Sequence, residues 1–153
     1  MVILRADDQF LLLRRAKPPN VGLYAPVGGK VDPYEDPYQT GLRETLEETG
    51  IAVPKLKYVG SLVETSPVAY NWWCSIYLAD IAWQPAPPCD EGRLEWIPCT
   101  QLDQIPTPPT DAAVYQYVAR EQPFAMRAIF DAELRMLSLA EEIEGKLLYE
   151  IPH

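Results

Sequence analysis

The chain has 153 residues, 48% of them apolar and 23% charged, the composition of one ordinary globular domain spanning 1–153 with a core large enough to need no disulfide or structural metal. Lys and Arg number 13 against 22 Asp and Glu, and the net charge of −9 argues against a nucleic-acid polymer or an anionic membrane as partner. A small anionic substrate would need a cation as intermediary.

No basic segment followed by an apolar one opens the chain, and no apolar run approaches the roughly eighteen residues of a membrane span. Cys74, Cys89 and Cys99 lack CxxC spacing and are odd in number, which reads as reduced thiols in a cytoplasmic protein. Proline, 16 residues in all, is about twice its usual usage and falls mainly at 18–37 and 85–109, marking long ordered loops.

In chain order, the apolar runs 2–5 and 10–14 predict a β-hairpin, and 17–26 reads as loop. Asp36 before Pro37, with Gly50 as stop, predicts a helix over 37–49. Strands are expected over 56–63 and 70–83, the second apolar on both faces as in a central strand, and over 94–97. Asp111 is expected to cap a helix that runs to about Arg120 before Pro123. The tail 124–149 has helix-favouring composition, yet Phe124, Met126, Ala128 and Phe130 alternate as in a strand.

The first helix carries the chemistry. At 100° per residue, Glu47 and Glu48 lie about 60° and about 40° to either side of Glu44, so three carboxylates share one face. Leu42, Leu46 and Thr49 are the residues expected to pack on a sheet. Like charges at i and i+4, near a C-terminus whose dipole favours cations, are poorly explained as a solvated surface. Hard oxygen donors in this arrangement suit Mg²⁺ or Mn²⁺.

Gly29, five residues, Glu35, seven residues, then Arg43-Glu44-Thr45-Leu46-Glu47-Glu48-Thr49-Gly50-Ile51 resembles the Nudix box in register at eight specified positions. Thr45 stands where the pattern has an aliphatic residue, and Tyr34 where a glycine often precedes the loop glutamate. The resemblance implies an α/β fold, an α/β/α sandwich around a mixed sheet, and favours strands in the tail.

It also implies metal-dependent cleavage of a nucleoside diphosphate-linked compound. Glu44, Glu47 and Glu48 would be metal ligands, with the Gly28 carbonyl and Glu91 completing the shell. One of the glutamates would orient or deprotonate water, Arg43 would hold the carboxylates, and Glu35 and Gly50 would shape the motif. Arg14, Arg15, Gly29 and Lys30 are candidates for the substrate phosphates, with Lys17 nearby. Tyr24 could stack on a base or serve as a core aromatic.

The run from Gly92 to Asp111 resembles the branch that clears oxidised purines such as 8-oxo-dGTP, with Asp111 at the base-reading position. Two alternatives stay open. Pro67, sixteen residues after Ile51, resembles a feature of enzymes that cleave ADP-ribose, and a nucleotide-binding module without catalysis is the reading from another class. A monomer or homodimer acting on a small nucleotide is expected.

Overall fold

The computed structural model describes residues 1–152. Its elements are β1 (Val2–Ala6), β2 (Gln9–Arg15), β3 (Tyr24–Ala25), α1 (Pro37–Thr49), β4 (Lys57–Thr65), β5 (Trp72–Asp80), β6 (Pro88–Cys89), β7 (Gly92–Pro98), a 3₁₀ turn (Cys99–Gln101), α2 (Pro109–Ala119), β8 (Phe124–Phe130), β9 (Met136–Glu141) and β10 (Lys146–Glu150). The hairpin, both helices and the strands of the tail are present. Among the described residues no helix is long and apolar enough to cross a membrane, and the three cysteines are free thiols.

All ten strands share one sheet in the order β10-β9-β8-β4-β5-β1-β2-β7-β6, with β3 added to β2. β1 with β5 and β4 with β8 run parallel and the other pairs antiparallel, so the sheet is mixed. Period-two alternation divides its side chains between two cores. Phe10, Leu12, Leu62, Ile76 and Leu78 meet Val114, Tyr115 and Val118 of α2. Leu4, Leu11, Leu13 and Tyr77 lie on the other face, with Tyr38 and Leu42 of α1 packed against them. The result is the expected α/β/α sandwich.

Helix α1 starts and stops as its sequence dictates. Asp36 accepts from the Gln39 backbone N–H while Gln39 returns a side-chain bond to Asp36, and Gly50 takes the left-handed conformation at φ 69°. The inward face differs from the expected one: Thr40, Gly41, Thr45 and Thr49 are buried, whereas Leu46 is half exposed. Gly41 explains the rotation. A Cβ there would come within 2.7 Å of Leu56 Cδ1 and 3.1 Å of Val2 Cγ2, so the helix approaches the sheet along a stripe too narrow for leucine. Thr45 is fully buried, its hydroxyl donating to the Gly41 carbonyl at 2.7 Å.

Two further corrections concern local chemistry. Asp111 is not a cap: Pro109 has its φ preset for the first helical turn, so α2 begins earlier, Pro108 takes the cap position, and Asp111 falls inside the first turn. The expected strand over 70–83 is trimmed to Trp72–Asp80, and its first residues are not covered on both sides, since Trp72 and Trp73 are 41% and 72% exposed.

Candidate active site

Arg43 organises the acidic helix. Its Nε and Nη2 donate to the two oxygens of Glu35 at 2.7 and 2.9 Å, a bidentate fork that only a planar guanidinium supplies. The same group reaches Glu44 Oε1 at 2.8 Å, Glu47 Oε2 at 3.4 Å and the Lys30 carbonyl at 3.2 Å. Arg43, with the Thr40 hydroxyl, holds the Glu35 carboxyl down at about 2. Loop 28–35 is thereby tied to the helix that carries the acids.

That loop passes close against them. A Cβ on Gly29 would collide with the Glu44 carboxylate, and Gly28 adopts φ 149° with Met1 Cα against it. The Gly28 N–H donates to Glu48 Oε2 at 3.2 Å, so the amide of Gly28 is the group seen to engage an acid. Glu48 is largely buried, and burial pushes its carboxyl up to about 7; Glu44 and Glu91 add to the rise, while the Gly28 amide and Arg15 oppose it. Glu47 lies at the exposed rim.

A cleft of about 680 Å³ opens over this helix, lined by Glu44, Glu47, Glu48, Cys89, Asp90 and Glu91. Glu91, before β7, is held by Lys17 at 3.1 Å and lies 3.9 Å from Arg15. As the side chains stand, no three His, Cys, Asp or Glu among the described residues form a ready metal cage, and Arg43 binds Glu44 Oε1 at 2.8 Å. The donor set nonetheless fits a hard divalent cation: the Glu48 carboxyl, which burial makes hard to ionise and which the neighbouring Glu44 and Glu91 charges disfavour further, would be relieved by one.

The remaining predicted residues separate by strand alternation. Arg15 is on the acidic side, whereas Arg14 is exposed on the opposite face with its guanidinium 6.0 Å from the Tyr24 ring centre. Arg14 is therefore not brought to the acids. Tyr24 is 6% exposed and donates to Glu95 at 2.9 Å, which makes it a core aromatic with no free face for stacking. Lys30 extends over the Trp72 ring at 5.2 Å.

Asp111 lies across the sheet from α1, near Glu64, a residue that sequence reasoning missed. Glu64 is 8% exposed and accepts from the Tyr70 and Thr110 hydroxyls, each at 2.7 Å. A signal for it exists: after Gly60 and Leu62 it is a charge in phase with an inward-facing series.

The NUDIX domain family model matches residues 1–118. The "Uncharacterized Nudix hydrolase YvcI" of Bacillus subtilis is 28% identical over 125 residues, 78% of this chain and 77% of its own. A MutT protein structure from Bacillus halodurans superposes with a TM-score of 0.77 at 22% identity, covering 93% of this chain and 95% of that one. The NUDIX domain of Shewanella oneidensis NrtR, solved with ADP ribose, gives 0.65 at 23% identity over 78% and 83%. A further NrtR structure with a 27mer DNA gives 0.64 at 24% identity over 78% of this chain and 58% of that one. Since the matched family model covers most of the sequence and the boxed residues fold around one acidic cleft, the chain belongs to the Nudix family and is a pyrophosphohydrolase of nucleoside diphosphate-linked substrates.

Proposed function

We propose that the substrate is a purine nucleoside triphosphate, oxidised purines included, hydrolysed to the monophosphate and pyrophosphate. The observation that carries the reading is Asp111. Its carboxylate accepts no hydrogen bond from any described residue, and burial, followed by the nearby Glu64 charge, pushes it up to about 7 against the pull of the Met1 ammonium. A largely buried acid whose oxygens take no hydrogen bond from the protein is suited to reading the polar edge of a base.

Glu44, Glu47, Glu48 and Glu91 would hold Mg²⁺ or Mn²⁺, which neutralises phosphate charge and makes water a better nucleophile. Arg43 keeps Glu44 and Glu47 oriented. Glu48 or Glu91 orients the attacking water and takes its proton. The water oxygen forms the new bond to phosphorus as the anhydride P–O bond breaks, leaving its electrons on pyrophosphate. Arg15, Lys17 and Lys30 are the cations near this cleft that can meet phosphate oxygens. A substrate of this size accords with the charge of −9, and we assign a monomer or homodimer acting in the cytoplasm.

A second reading, ADP-ribose cleavage, is favoured by the NrtR domain solved with ADP ribose and by Pro67, in the turn between β4 and β5. The deciding experiment is product identification with normal and oxidised purine triphosphates, ADP-ribose and dinucleoside polyphosphates, each with Mg²⁺ or Mn²⁺. Release of pyrophosphate from a purine triphosphate at the highest kcat/KM is the expected result. Preference for ADP-ribose overturns the triphosphate reading, binding without turnover promotes the non-catalytic module, and turnover that survives full chelation removes the metal.

A further inference from the structure

Glu64 and Trp72 are directly opposed across β4 and β5 and therefore face the same side of the sheet. A glutamate buried at a strand end is costly, and no Lys, Arg or His among the described residues pairs with Glu64. Instead, hydroxyls on two other segments, Tyr70 and Thr110, fix both its oxygens. The Tyr70 ring stands edge-on to Trp72 at 6.2 Å and 80°, which fixes the indole while leaving it 41% exposed. A cation already lies over that indole, the Lys30 ammonium at 5.2 Å.

This group is continuous with the acidic cleft. Lys30 follows Gly29, which lies against Glu44, so one residue step and one lysine side chain separate Glu44 from Trp72. That is on the order of 10 Å, the scale of a nucleoside triphosphate. Thr110, which holds Glu64, immediately precedes Asp111.

We infer that Trp72 and Glu64 determine base specificity: the base stacks on the Trp72 indole where the Lys30 side chain now lies, and Glu64, beside Asp111, accepts hydrogen bonds from N–H groups on its edge. The inference rests on the nucleotide reading above and deepens it. Stacking is indifferent to base identity because every base has a π-face. Selection therefore falls to the carboxyl pair. A fixed carboxylate acceptor favours an edge with adjacent N–H donors, as guanine presents, over the adenine edge with its single amino group. Lys30, displaced from the ring, is free to meet phosphate.

The test measures, by calorimetry with Mg²⁺, the binding of α,β-methylene analogues of GTP and ATP and of inorganic tripolyphosphate, which has no base. Trp72→Ala should weaken both nucleotides by about tenfold to a hundredfold and tripolyphosphate by less than about twofold. Trp72→Phe should restore most of the loss, and Glu64→Gln should narrow the preference for GTP over ATP while sparing tripolyphosphate. Equal losses on nucleotides and tripolyphosphate, or none on any ligand, overturn the inference. If the substrate panel selects ADP-ribose, the triphosphate reading fails alone: Trp72→Ala must then weaken ADP-ribose but not ribose 5-phosphate, and equal effects on both refute the stacking separately.

Discussion

Arg43 and Glu35 are eight residues apart in sequence and joined by two hydrogen bonds of 2.7 and 2.9 Å, and the guanidinium that makes them also binds the Glu44 carboxylate. One side chain thus fixes the loop to the helix and sets an acid in place. Arg43→Lys retains the charge and loses the fork. We expect kcat/KM to fall by about tenfold to a hundredfold, as for groups that orient metal ligands, with the melting temperature changed far less. Steady-state kinetics beside a melting curve checks this, and a variant with wild-type turnover would refute the orienting role.

Glu48 gives a prediction with a defined sign. Its carboxyl is raised from 4.5 to about 7, so between those values the folded chain holds a proton that the unfolded chain has released. Without metal, that group's contribution to stability falls as pH rises through this window, by on the order of 1 to 3 kcal/mol. In chelator, Glu48→Gln should therefore gain stability relative to wild type as pH goes from 5 to 7.5. Added Mn²⁺ should stabilise wild type most at the alkaline end, because the ligand must lose its proton to bind. Denaturant melts at the two pH values measure both effects, and the variant should lose catalytic turnover by orders of magnitude.

The acidic helix was legible because capping, glycine stop and carboxylate spacing are local rules, and each acts within one turn. Its inward face was not: hydrophobicity pointed to Leu46, while contact with Leu56 and Val2 placed Gly41 against the sheet. Glu64 was missed for a related reason. Its partners Tyr70 and Thr110 are brought to it by the strand turn and by α2, so no spacing in the sequence joins them. The alternation that split Arg14 from Arg15 was readable in β2, but which face carries the acids is settled only by where α1 packs.

Tyr34 and Gly41 make opposite predictions about stability. Tyr34 sits at φ 68° with its side chain fully exposed, so it bears left-handed strain without compensating contact. Tyr34→Gly should stabilise by about 1 kcal/mol, a shift of roughly 2 to 4 °C for a chain of this size. Gly41→Ala gains helix propensity of about 1 kcal/mol but drives a methyl into Leu56 and Val2, and overpacking costs about 1 to 3 kcal/mol. A lower melting temperature for Gly41→Ala and a higher one for Tyr34→Gly are the expected pair.

Asp111 separates a structural role from a base-reading role, since it is not the helix cap. Removing a cap would cost about 1 kcal/mol, but this carboxyl lies in the first turn, unpaired among the described residues and pushed up to about 7 by burial and Glu64. Ionised above that value, it opposes folding, so Asp111→Asn should leave stability at pH 7.5 unchanged or raised, and the difference from wild type should shrink toward pH 5. Discrimination should move the other way. If the group accepts from or donates to a base edge, Asp111→Ala leaves a buried partner unsatisfied and reduces the preference for the correct purine by about 1 to 3 kcal/mol, tenfold or more in the ratio of kcat/KM. An undiminished ratio accompanied by lost stability would return Asp111 to the scaffold and leave Glu64 as the acid that faces the base.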